Sequence, residues 1–282
     1  MQPRQNVFFS PFSISQALAL TLNGAGGQTR QGIANTLGIG AMPTDTLNRA
    51  NGLLVSSLRN PGLQVELTIA NALWVKQGVT LNPEFQTRCK QFYDADTTPL
   101  NFGSADAVTA INGWVGTHTR GKITEIVSPA DLVDAQAVLT DAVYVHDKWA
   151  DTFRKTATHV KPFTRADGSQ KSVPLISQES EWSYLQTPSF QAVRLPYGKG
   201  RVAMYVFLPK SPSGLNAFLR TATAASWNGW LSRMKPQEVD LLLPRFHADD
   251  KLTLNAPLSR LGMASAFGLQ AEARQWGFRI VM

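Results

Sequence analysis

Helical periodicity through the first sixty residues, alternating apolar strands farther along, and the lack of any internal repeat or low-complexity linker predict an α+β fold around one core. The chain has 282 residues, 43% of them apolar and 17% charged, enough for one sizeable domain or two small ones.

Ser10 followed by Pro11 starts the first helix. A serine hydroxyl caps free N–H groups, and proline at the first helical position gives up no needed donor. Ile14, Ala17, Leu18, Thr21 and Leu22 then share one face, and Asn23-Gly24 stops the helix. Thr29 is the predicted cap of a short second helix through Ile33 and Leu37, and residues 45–58 form a third with Leu47, Leu54 and Leu58 inward. The period changes over residues 67–75. Leu67, Ile69, Leu73 and Val75 alternate with Thr68, Ala70, Ala72 and Trp74, as in a strand covered on both faces. Helical spacing returns over 83–93 and 104–118, the latter with Val108, Ile111, Val115 and His118 on one side and Gly121 beyond its end. Residues 137–145, 201–208 and 239–243 read as three further strands, the last closed by Pro244. Residues 215–234 hold one or two short helices with Trp227 and Trp230, and a last short helix lies around 258–261.

The net charge is +7, with the basic residues dispersed. Lys148, Arg154, Lys155 and Lys161 form their densest group and read as a solvated face. No aromatic-rich basic motif for nucleic acid occurs, and no apolar run has the length a bilayer needs. Cys89 is the single cysteine, so no disulfide forms within the chain. His118, His146, His159 and His247 are scattered without HxxxH or HExxH spacing, which argues against a metal site. Gly24, Gly26 and Gly27 lack the GK[ST] of a phosphate loop, and no GxSxG elbow presents a nucleophile. The expectation is a protein that is not an enzyme and carries no cofactor. Residues 1–6 show no secretory leader.

Asp141 is the most informative polar residue. In "AVLTDAVYV" it shares a face with Leu139, Val143 and Val145, where a carboxylate needs donors or a proton. Ser10 and Ser13 are hydroxyls in an otherwise apolar stretch, "NVFFSPFSIS". They are expected to lie under a central sheet and bond near Asp141; the alternative is that Ser10 only caps its helix and Ser13 faces solvent.

Taken in order, these segments resemble the serpin family. "NVFFSPFSIS" and "GAGGQTRQGIANTLG" look like its opening, "IANALWV" like the strand after its third helix, and "INGWVGTHTRGKI" like a later helix ending. "AVLTDAVYVHDKWADTF" is similar to its central strand and Lys-Trp pair; "LPYGKGRVAMYVFLP" and "VDLLLPRFHADDKLTLNAPLSRLGMASAF" complete the series. The match covers residues 6 to about 267. It implies a single domain over 1–282 with a large, mainly antiparallel sheet, smaller sheets and a helical cluster. It also implies suicide inhibition of a serine or sometimes cysteine protease: a bait loop is cleaved and then inserts into the large sheet, dragging the protease with it. By this resemblance Ser10, Ser13 and Asp141 match the "shutter" where the sheet opens, and Trp149 matches the "breach" at its top. Asp141 departs from the family's usual Asn. The ending "GLQAEARQWGFRIVM" shows no further sheet strand, hinge, bait loop or last core strands, and most of the first helix is missing. The chain as given is therefore expected to be non-inhibitory, and no bait bond is assigned. Alternatives are a non-inhibitory carrier or chaperone and, last, a hydrolase. An acidic polysaccharide is a weak candidate partner, because the third helix offers only Arg49 and Arg59, near Asp45. The family setting is extracellular; without a leader the cytoplasm is the other option.

Overall fold

Helix α1 (Pro11–Leu22) begins where Ser10 and Pro11 direct it: the Ser10 hydroxyl accepts the Ser13 amide at 3.1 Å. The computed structural model describes residues 6–59, 65–248, 250, 252, 254–267 and 278–281. Helix α2 (Gly27–Leu37) starts two residues before the expected cap. Gly26 holds the cap position without a side-chain bond, and Thr29 lies buried in the first turn. In α3 (Thr44–Leu58) the inward residues are Leu47, Asn48 and Val55, whereas Leu54 is 45% exposed. The apolar spacing misplaced this face because amides, normally read as outward, occupy part of it.

Strand β1 (Glu66–Lys76) is followed by α4 (Pro83–Tyr93), capped by Asn82, then β2 (Asp96–Leu100), α5 (Ala105–His118), α6 (Pro129–Leu132) and β3 (Ala137–His146). Next come β4 (Thr158–Thr164), β5 (Gln170–Gln186), β6 (Phe190–Tyr197), β7 (Val202–Pro209), α7 (Leu215–Thr221), α8 (Ala224–Arg233) and β8 (Lys235–Pro244). The chain closes with α9 (Asn255–Leu258), a π-helical turn (Ser259–Met263), α10 (Ala264–Phe267) and β9 (Phe278–Val281).

These elements form two compact units. The first comprises the described residues within 9–60, 66–145 and 251–282 and holds a four-stranded sheet in the order β2-β1-β3-β9. Side chains alternating along β1 and β3 divide between two cores. Leu73, Val75, Ala137 and Leu139 pack with Leu20, Ile33 and Phe85 of the α1, α2 and α4 layer. Ala72, Trp74 and Val138 pack with Ile111 and Val115 of α5. Leu73 and Leu139 are fully buried, each contributing about 2 kcal/mol of apolar transfer. Helix α2 closes on the π turn at Gly32, where a β-carbon would lie 2.7 Å from the Gly262 carbonyl oxygen.

The second unit comprises the described residues within 1–8, 61–65 and 146–250, with a five-stranded antiparallel sheet. Its long strand β5 pairs with β4, β8 and β6 in turn along its length. Phe218 of α7 and Trp230 of α8 cover Phe190 and Phe207 of β6 and β7. Lys148, Arg154, Lys155 and Lys161 are all exposed, as a solvated face requires.

The larger sheet is antiparallel, as expected, and the sheet containing β3 has four strands and pairs β1 with β2 and β3 with β9 in parallel. One expectation changes. The closing tail, expected to add no strand, supplies β9: its backbone registers against Ala137–Thr140. Among the described residues no helix is long and apolar enough to cross a membrane, and no cluster of His, Cys, Asp or Glu could hold a metal ion.

Candidate functional site

The site builds outward from the middle of β3. Thr140 points to the α5 side of the sheet, where its hydroxyl accepts the Trp74 indole N–H at 3.1 Å. Asp141, the next residue, points to the α1 side by strand alternation and is 6% exposed. Both of its carboxylate oxygens are shut off from solvent, and neither receives a hydrogen bond of good geometry. Ser13, likewise 6% exposed, lies close enough to favour the charged form without completing such a bond. Burial dominates and pushes the carboxyl from its ordinary 3.8 up to about 6, against the weaker pull of Ser13.

The two serines therefore differ. Ser10 is half-buried and engaged as the α1 cap, while Ser13 faces inward beside Asp141. An Asn at 141 would bring an N–H₂ donor for a neighbouring hydroxyl; an ionised Asp brings acceptors alone. The edge of β3 changes character at the same residue. β9 registers with Ala137–Thr140, and from Asp141 to His146 no strand follows on that side among the described residues.

A second polar cluster lies under α1, and apolar periodicity gave no sign of it. Asn48 and Asn23 exchange amide hydrogen bonds at 2.8 and 3.0 Å, and the Tyr93 hydroxyl donates to the Asn48 side-chain oxygen at 2.8 Å. Asn51 donates to Tyr93 at 3.3 Å, and Gln16 donates to Asn51 at the same distance. Burial pushes the Tyr93 hydroxyl up to about 12, and the Asn51 and Asn23 amides pull it back in part. The signal available in the sequence was the recurrence of Asn48, Asn51 and Val55 at helical spacing after Leu47.

Trp149 belongs to the second unit. Its ring stacks on Tyr197 at 4.4 Å and meets Phe153 edge-on at 5.8 Å. Backbone bonds from Ala150 to Pro196 and from Gly198 to Lys148, both 2.9 Å, tie its loop to the β6–β7 turn. Phe153 stacks in turn on buried Trp182, so Trp149 is the rim of an aromatic core. Cys89 is buried in the first unit, and burial pushes its thiol up to about 12, which leaves it unreactive at neutral pH.

Residues 1–276 match the family model described as "Serpin (serine protease inhibitor)". An uncharacterised serpin-like protein of Thermococcus kodakarensis is 34% identical over 267 residues, which are 93% of this chain and 61% of that protein. Leukocyte elastase inhibitor A of Rattus norvegicus is 31% identical, covering 94% of this chain and 72% of its own length. Among solved structures, native protease nexin-1 with heparin superposes with a TM-score of 0.86 at 28% identity, over 95% of this chain and 74% of that one. The chain thus spans about three fifths of the length of the archaeal relatives it matches.

Proposed function

This chain belongs to the serpin family, and from that premise we propose that it forms the body of a suicide inhibitor of serine proteases, with the β3 edge as the place where a cleaved bait segment inserts. The observation that supports it is that edge: β9 registers with β3 over Ala137–Thr140 only, and β3 runs on to His146. Unpaired N–H and C=O groups recruit an added strand, which gains main-chain hydrogen bonds and buries alternate side chains. In this reading Ser10, Ser13 and Asp141 form the shutter and Trp149 the breach. The chemistry belongs to the protease, whose serine attacks the bait carbonyl; the serpin supplies the strand insertion that strands the acyl-enzyme.

The chain spans about three fifths of the archaeal relatives' length, so the activity is assigned to a polypeptide of their full length. An acidic polysaccharide is left out of the reading. Arg59, the residue that caps the end of α3, pairs with Asp94 at 3.2 Å and donates to the Ile69 carbonyl, and Arg49 donates to the Asp45 carbonyl at 3.3 Å. The test is to incubate a full-length product with a panel of serine and cysteine proteases. A denaturant-resistant covalent complex with at least one is the expected result, and residues 1–282 alone should give none. Cleavage without a complex by every protease would overturn inhibition and favour the carrier reading.

A further inference from the structure

We propose that Asp141 makes the packing of α1 on β3 a proton-controlled latch, closed while its carboxyl is protonated and loosened once it ionises. A carboxylate 94% removed from solvent, with both oxygens lacking a partner, is poorly housed as an anion. As a neutral acid it gives up the charge that burial penalises, and the adjacent Ser13 hydroxyl favours the ionised form only weakly against that burial. An Asn would be neutral at every pH, so the device requires the ionisable side chain of Asp at this position.

Among the described residues no neighbouring charge stands in for the proton. Helix α1 contributes no titratable side chain. Cys89 and Tyr93 of α4, which share this core, are each pushed to about 12 and stay neutral over the range concerned. Glu66 and Lys76 lie at the two ends of β1, His146 is exposed at the far end of β3, and the arginine of β9 registers with Val138. The Asp141 shift has two causes alone, burial and then Ser13.

The direction follows from the raised value. Between its ordinary 3.8 and about 6 the closed form holds a proton that the opened form releases. The stabilisation is complete below the lower value and lost as pH rises through the upper one. Opening of the α1–β3 contact should become about tenfold more favourable between pH 5 and pH 8. The consequence for strand insertion rests on the inhibitor reading; the titration does not.

The experiment uses residues 1–282 with ¹³C-labelled aspartate, followed by NMR, together with hydrogen exchange at pH 5 and pH 8 corrected for intrinsic rates. The Asp141 carboxyl is expected to titrate near 6. Protection in α1 and β3 is expected to fall about tenfold relative to α5, and Asp141→Asn should remove that step. A midpoint near 4, or an unchanged step in Asp141→Asn, overturns the latch. Should that variant not fold, Ser13→Ala serves instead: loss of the hydroxyl raises the midpoint, and an unmoved midpoint overturns the proposal. A protease panel that yields no complex bears on the inhibitor reading alone.

Discussion

Two buried polar regions sit beneath α1, and they are built on opposite principles. At the α3–α4 end, Asn23, Asn48, Asn51 and Tyr93 satisfy one another through short reciprocal bonds. Against β3, Asp141 is buried to a similar degree and its oxygens go unmatched. A satisfied network fixes one arrangement, because every alternative leaves donors unpaired. An orphaned carboxylate instead lowers the free-energy gap between closed and open arrangements. The difference teaches where this unit is held and where it is ready to move: α1 is anchored to α3 and α4 and weakly committed to the strand edge.

The comparison breaks most visibly at Asn48. Asn48→Ala leaves the Asn23 side-chain oxygen without its Asn48 donor and the Tyr93 hydroxyl without its acceptor, around a fully buried position. It should cost about 3 kcal/mol of stability, read as a lowered urea midpoint. Asp141→Asn should act in the opposite sense, stabilising by about 2 kcal/mol at pH 8. The gain should vanish below pH 4, because a carboxyl raised to about 6 penalises the folded state only once it ionises. A variant less stable than wild type at pH 8 would equate the two regions. Thr140→Val tests the other face of the same strand. It strips the Trp74 indole N–H of its buried acceptor and should cost about 1.5 kcal/mol, with a change in indole absorbance. Ser10→Ala should have the smallest effect, about 1 kcal/mol from the lost α1 cap, with no change in the Asp141 titration; a shifted titration would assign Ser10 to the carboxylate site after all.

What the sequence revealed depended on whether local chemistry alone decided the outcome. Helix α1 was legible because Ser10 and Pro11 are sufficient instructions for its start. Asp141 was legible as an anomaly because a carboxylate interrupts an apolar strand face between Leu139 and Val143. The inward position of Ser13 was not, since a hydroxyl on a helix suits either environment until the sheet is placed. Strand β2 escaped notice because Thr97, Thr98 and Pro99 carry no apolar alternation; its identity comes from parallel pairing with Ala72–Lys76 of β1. The α3 face was misjudged for a related reason. Asn48 and Asn51 are buried by the partners they find on other elements, and composition does not encode those partners. β9 pairs through backbone groups common to any sequence, so its residues carry little signal of the strand.

The seam between α2 and the π turn carries a lesson for comparing relatives. The Gly262 carbonyl occupies the space a methyl group at residue 32 would need, and Gly262 has a φ of 111°, which favours glycine. The two glycines thus behave as a lock and its key cut from opposite ends of the polypeptide, over two hundred positions apart. A homologue that replaces one should have reshaped the other's neighbourhood, so paired substitution at these positions would mark the lineages in which this joint was redrawn.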